Sequence, residues 1–348
     1  MATIGNSFLG LADVYKATDS NRNIIPVIEA LNILNPLMED ATMIECNQGT
    51  KHTSSIRTGL PQVSWGKLYQ GIPQSKSTRQ QVDDTTGFFE GLSTVDTRLL
   101  EITKNPAALR LSEASSFLES MAQEATTNFF YADTATTPER FKGIAARYNA
   151  IGSYGAGNQI VDGGGTGTDN MSVWFVTWGD QQTSLIYPEG TTAGVSRQDM
   201  GQQRVYDDLG NPYYVKEEQF RQHMGCRVGD WRFNSRIANI SRAALLAGTV
   251  DVFSLLRQAY WKLQSRRNSR IGNNGMVSPG KTVMYANRDF LQALDGASTN
   301  STPGAATDNH VRTVPDDVAG KEVLVYRNIP IRETDSLISA EARVVAAV

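Results

Sequence analysis

The sequence predicts an α+β chain, and three observations carry that reading. A capped helical stretch runs from Pro106 to Tyr131, strand-type patterning dominates from Met171 onward, and a glycine-rich tract at 151–170 lies between them. With 348 residues the chain suffices for one large domain or two moderate ones, and about three quarters of its unfolded surface can be buried. The net charge of −3, with 20% charged residues, sets up no global field directed at nucleic acid or an anionic membrane. No apolar run approaches the ~18 residues of a membrane helix, so no membrane partner is expected. The opening MATIGNSFLGLADVYKA carries no basic stretch followed by an apolar core, so no secretory signal is expected either. Cys46 and Cys226 stand too far apart in sequence to frame a disulfide scaffold, and His52, His223 and His310 are too few to suggest a metal site. No cofactor is expected, and a reducing compartment is the default.

Residues 8–45 read as an N-terminal arm. Ile24, Ile25, Val27, Ile28, Leu31, Leu34 and Leu37 fall near helical spacing, and Pro36 should end that helix because proline disfavours helical geometry in the residue before it. From Cys46 to Val82 there is no Asp or Glu, whereas Lys51, Arg57, Lys67, Lys76 and Arg79 give a formal charge of +5. Leu60, Val63, Trp65, Leu68, Tyr69 and Ile72 are interrupted there by Gly59, Pro61, Gly66, Gly71 and Pro73. Such a stretch predicts an extended hairpin arm that cannot build its own core. It either borrows a core from a neighbour or is a mobile basic loop.

From Asp83 to Glu124 the sign reverses. Asp83, Asp84, Glu90, Asp96, Glu101, Glu113, Glu119 and Glu124 face only Arg98, Lys104 and Arg110, so the two segments are complementary in charge. Asn105 and Pro106 form a helix start, with Asn at the cap and Pro at the first helical position. Leu111, Ala114, Leu118, Met121, Ala125 and Phe129 recur at helical spacing and predict the buried face of a helix about 39 Å long.

The tract IGSYGAGNQIVDGGGTGTDN reads as a flexible linker and domain boundary. MSVWFVTW (171–178) is apolar on both faces, which predicts a central strand. Further strands are expected in TSLIYP, in RVYDDLGNPYYV around a turn at 208–212, in CRVGDWRF (226–233), in 281–287, in 322–332 and in the final ARVVAAV. Thr249–Arg270 reads as a helix with Val252, Leu255, Leu256, Tyr260 and Leu263 inward.

Three motifs invite a chemical reading. GMVSPGKT (275–282) matches the P-loop pattern, but a phosphate loop needs a strand entering and a helix leaving, and here the order is reversed. The alternative is a tight turn set by Pro279 and Gly280. Arg257, Lys262, Arg266, Arg267 and Arg270 make one helix basic, which suits either a phosphate-facing patch or an ordinary solvated face. His223 and Cys226 form an HxxC pair with no second pair of ligands. No nucleophile, base and oxyanion constellation is present.

The order of parts resembles the major capsid protein of tailed bacteriophages, with the shell fold named for phage Hong Kong 97. The segments that carry the resemblance are the hairpin at 46–84, DTRLLEITKNPAALRLSEASSFLESMAQEATTNFFYAD (96–133) as the spine, Phe141-Lys-Gly143-Ile144 as the turn out of it, and NIPIRETDSL (328–337) as the return strand. TIGNSFLGLADVYK and RTGLPQVSWGKLYQG are also similar to phage major capsid sequences. The resemblance implies an N-terminal arm (1–45), an extended loop (46–84), a peripheral domain with the spine helix (85–150), an axial domain with a mixed sheet (151–315) and return strands (316–348). It also implies hexamers and pentamers closing an icosahedral shell around double-stranded DNA bound without sequence specificity. The chain would then be a structural protein without enzymatic activity, assembled in the host cytoplasm and resident in the virion, with a separate scaffold, a portal and in some cases decoration proteins as partners. An encapsulin-like nanocompartment and a P-loop enzyme are the alternative readings.

On this view the arm of one copy lies on the acidic spine region of the next. Trp65 and Tyr69 would anchor it, Arg57, Lys67 and Arg79 would set its register, and Glu113 and Glu119 would receive it. Gly49, Gly59, Gly66, Gly71 and Gly163 to Gly165 would act as hinges. Lys51, Lys67 and Lys76 are available on the loop, but nothing selects an Asn partner, so no covalent cross-link is expected.

Overall fold

The computed structural model describes residues 35–206, 209–265, 280–299, 311–315 and 322–346. The helix expected from Ile24 to Leu34 lies outside them. Pro36 caps the start of a short helix, α1 (Leu37–Asp40), whose Leu37 is fully buried. After β1 (Met43–Glu45) the chain forms the antiparallel pair β2 (Lys51–Gly59) and β3 (Thr78–Asp96). At 19 residues β3 is about 60 Å long. Its first part pairs with β2 from Thr78 to Thr85, and its second part pairs with β8 (Pro212–Val228) from Thr86 to Asp96. One continuous strand therefore belongs to both the projecting hairpin and the body.

Asp96 caps α2 (Thr97–Ile102), and Asn105 caps α3 (Pro106–Tyr131) by accepting a hydrogen bond from the Ala108 amide. The long helix thus starts where its capping signal predicts and runs unbroken to Tyr131. Its buried face differs from the expected one. Ala114, Met121, Ala125 and Phe129 are buried as the spacing required, but Leu111 is 63% and Leu118 43% exposed. The first half of α3 is supported chiefly by β3 and β8, where Phe117 stacks on Phe220 at 5.6 Å and fills the space that a Cβ at Gly91 would need. Leu111 and Leu118 fall beyond that support.

After α4 (Ile144–Arg147) and β4 (Ile160–Asp162), the central strand β5 (Asn170–Trp178) is buried along its whole length. It lies antiparallel between β9 (Ser235–Ser241) and β10 (Lys281–Ala286). The sheet runs β11 (Val311–Pro315), β12 (Glu322–Tyr326), β13 (Ile329–Glu333), β10, β5, β6 (Thr183–Tyr187), β8, β3, β2. The alternation along β5 divides the interior in two. Trp174, Val176 and Trp178 pack with Phe129 and Phe130 of α3 and Tyr285. Met171, Val173 and Phe175 pack with Leu255 and Leu256 of α5 (Val252–Lys262) and with Phe290 of α6 (Arg288–Thr299).

Several expectations are corrected. The tract at 151–170 is not a free linker, because Gly163 and Gly165 donate backbone hydrogen bonds to the carbonyls of Ala238 and Asn239 and leave no room for a Cβ. Residues 226–233 are not one strand: Cys226–Val228 finish β8 and Trp231–Phe233 form a 3-10 turn capped by Asp230. The helix expected over 249–270 spans Val252–Lys262, with Asp251 as its cap. Arg266, Arg267 and Arg270 lie outside the described residues. Residues 322–332 form a hairpin, because Arg327 and Asn328 take left-handed φ values of 49° and 67° and turn the chain between β12 and β13. The terminal ARVVAAV makes an isolated bridge between Ala346 and Ile151 in place of a strand.

Candidate functional site

The feature that stands apart from the body is the hairpin of β2 and β3. Between Gly59 and Thr78 its tip has no regular ladder. It is turned by the Gln70 amide donating to the Lys67 carbonyl at 3.3 Å and by Tyr69 at φ 66°. Ser75 Oγ donates to the Gln62 carbonyl and draws the two limbs together. Trp65 is 99% and Tyr69 107% exposed, and Leu60, Val63, Leu68 and Ile72 are exposed as well. Lys67 is exposed beside them. Exposed apolar side chains gathered in this way mark an interaction surface rather than ordinary scatter.

The base of the hairpin is tied down. Asp83 accepts from Lys51 Nζ at 2.9 Å, Thr53 Oγ1 at 2.8 Å and Gln81 Nε2 at 3.2 Å. These bonds, chiefly the one from Lys51, hold its carboxyl down at about 2. Deeper in, Asp84 pairs with Arg147 at 2.7 Å, and Arg227 donates to Ser54 Oγ. Burial, with Arg227 nearby, lowers the imidazole pKa of His52, which stands opposite Asp84 in the ladder.

Arg57 and Arg79, far apart in the sequence, are direct cross-strand partners, and both are exposed. Glu113 and Glu119 are half-buried on α3, and Glu119 accepts from Gln123 Nε2 at 2.8 Å. The acidic excess of the spine region is less available than arithmetic implied. Asp83, Asp84, Glu90, Asp96 and Glu124 pair within the chain, with Lys51, Arg147, Arg221, Arg98 and Arg140 respectively.

The P-loop match is occupied with structure. Lys281 Nζ donates to Asp40 at 2.6 Å, Thr282 Oγ1 donates to Ser265 Oγ, and Gly280 at φ 72° lies against the Trp178 carbonyl. The chain leaves Gly280 directly into β10, a strand where a phosphate loop would need a helix. Residues 275–279 lie outside the described residues. Of the HxxC pair, the His223 ring lies 5.7 Å from that of Phe88, while Cys226 is buried, which pushes its thiol up to about 12. On the basic helix, Lys262 donates to the Asn158 carbonyl.

Three buried carboxylates escaped sequence reasoning, and one of them, Glu218 of β8, receives Arg110 and Arg197. Asp40 receives Lys281, Arg332 and Tyr285, fastening α1 to β10 and β13. Glu341 receives Tyr131 Oη at 2.5 Å, Arg236 Nη2 at 2.8 Å and Ser172 Oγ, joining the last segment to the end of α3 and to the central strands. A second hairpin, β7 (Val195–Tyr206) with β8, was legible only at its turn, since the polar run of β7 shows no alternation.

The sequence profile of the family described as Major capsid protein GP7 matches residues 19–345. A chain in the structure of bacteriophage Epsilon15 is similar at 28% identity and a TM-score of 0.73, with 100% of each chain covered. The capsid of bacteriophage JBD30 shares the fold at 10% identity and a TM-score of 0.51, over 89% of this chain and 93% of that one. The holo-SrpI encapsulin of Synechococcus elongatus PCC 7942, at 8% identity over 68% of this chain and 96% of that one, reaches a TM-score of only 0.45. No curated protein sequence matches the chain.

Proposed function

The chain belongs to the major capsid protein GP7 family, a phage shell protein with the Hong Kong 97-like fold, and from that premise we propose how its copies hold one another. The hairpin of β2 and β3 reaches over a neighbouring copy, and the apolar tip finishes its core there. The observation that carries this reading is the full exposure of Trp65 and Tyr69 at the end of a hairpin whose base is firmly bonded. A fixed base with an unfinished tip suits a strap that docks elsewhere.

On the receiving copy, Leu111 and Leu118 of α3 offer apolar surface on one face, with Glu119 a step round the helix from them and Glu113 on another face, to meet Arg57, Lys67 and Arg79. Opposite charges at such a contact select register more than they add affinity. The copies assemble as hexamers and pentamers around double-stranded DNA held without sequence specificity, in the host cytoplasm, with a separate scaffold, a portal and in some cases decoration proteins. The body divides into a peripheral part at 85–150 and an axial part at 151–315, with 316–348 returning to the former. Conformational adjustment between copies falls to Gly66 and Gly71 of the tip, where an added Cβ would meet nothing, rather than to Gly163 and Gly165.

Trp65→Ala tests the reading. Loss of a buried aromatic anchor costs about 2 kcal/mol or more per contact, a roughly thirtyfold weaker contact. Particle yield by electron microscopy should collapse while the circular dichroism of the unassembled chain stays unchanged. Normal particles from Trp65→Ala would refute the docking of the tip.

A further inference from the structure

We infer that Arg57 and Arg79 form a single receptor for a carboxylate of a second copy, and that their mutual repulsion keeps the hairpin loose until that carboxylate arrives. This rests on the proposed docking of the arm and adds a form of regulation to it. The two arginines face each other in the ladder, on the last regular rung before the register shifts between Arg57 and Gly59. Like charges directly opposite on antiparallel strands destabilise the pairing. Neither guanidinium makes a hydrogen bond or ion pair with a described residue.

No remedy lies close by among the described residues. The stretch from Cys46 to Val82 contains no acid at all. The carboxylate on the same face of the hairpin is Asp83, about 13 Å along the strand from Arg79. It is already held by Lys51, Thr53 and Gln81. Two guanidinium groups about 5 Å apart at their Cβ atoms can grip one carboxylate from both sides, which relieves the repulsion and adds charge-assisted hydrogen bonds. The anion is assigned to a protein carboxylate rather than a phosphate because the pair adjoins the apolar tip. A surface that buries Trp65 and Tyr69 passes beside the arginines, and the chain as a whole carries an acidic excess.

The test compares full-length chains, free of nucleic acid, by amide hydrogen exchange of the β2 and β3 amides before assembly and by particle yield afterwards. Arg79→Glu creates an ion pair with Arg57 inside the hairpin. Exchange there should slow by about three- to tenfold, while particle yield falls by about an order of magnitude. The double variant Arg57→Glu/Arg79→Glu restores like charges, so exchange should return to the wild-type rate while assembly stays impaired. Unchanged exchange in Arg79→Glu, or undiminished particle yield, overturns the inference. An assembly defect that appears only when DNA is supplied also overturns it, because the anion would then be phosphate. Failure of Trp65→Ala to assemble, together with normal assembly of Arg79→Glu, would leave the arm reading standing and remove only this one. Normal assembly of Trp65→Ala would remove both.

Discussion

Glu341→Gln removes one charge from the most enclosed ion pair in the described residues while leaving the side-chain volume nearly unchanged. Arg236 and Glu341 are each 5% exposed at the side chain, and Arg236 also lies over the Trp174 ring and donates to the Tyr148 carbonyl. Burial decides the magnitude. An exposed pair would contribute no more than about 1 kcal/mol, whereas removing one partner of a buried pair costs about 3–5 kcal/mol because the other charge is left without a counter-ion. With an unfolding entropy of roughly 0.7 kcal/mol/K for a chain this long, that corresponds to a fall in melting temperature of about 4–7 °C. Thermal unfolding of the unassembled full-length chain, followed by circular dichroism, measures it. Arg236→Met alone should cost a similar amount. Arg236→Met with Glu341→Gln should cost clearly less than the sum, since no buried charge remains. A shift below about 1 °C for Glu341→Gln, or strict additivity of the two changes, would show that the pair does not hold the last segment against the end of α3.

Gly163→Ala should destabilise the chain by about 1–3 kcal/mol, because its Cβ would meet the Asn239 carbonyl at 2.8 Å and the Ala238 carbonyl at 3.0 Å; a chemical denaturation midpoint equal to wild type would restore the linker reading. The base of the arm should loosen as the medium turns acid. Burial and Arg227 lower the pKa of His52 in the folded chain, against the opposing effects of Asp84 and the Glu45 backbone. The unfolded chain therefore takes up its proton first, near the ordinary value of about 6.5. Stability then falls with pH from there down to the lowered folded value and levels off below it. Hydrogen exchange of the Thr53 and Ser54 amides should be faster at pH 5 than at pH 7 after correction for intrinsic rates, and His52→Gln should abolish that difference.

Much of the architecture was legible in local chemistry. Asn105 and Pro106 set the start of α3 because a cap and a fixed φ act within one turn, and the two-sided apolar pattern of 171–178 set β5 at the centre because no half-exposed strand could carry it. The arm was legible from a missing ingredient, a run without acids and without enough bulk to close on itself. Leu111 and Leu118 were misread because periodicity gives the direction of a helix face but not the extent of what lies beneath it. Gly163 and Gly165 were misread because a glycine tolerated for freedom and one required for close approach look alike in sequence.

The chain by itself determined its elements and the incompleteness of its arm, since caps, turns, alternation and charge runs act over a few residues. Only the tertiary structure placed Arg57 against Arg79, took Asp83, Asp84, Glu90, Asp96 and Glu124 out of the count of free acids, and brought Asp40 and Glu341 into the interior with their cations. The physical reason is distance. Coulombic and hydrogen-bond energies depend on separations of a few ångströms, and residues such as Asp40 and Arg332 reach that separation only once the sheet has assembled between them.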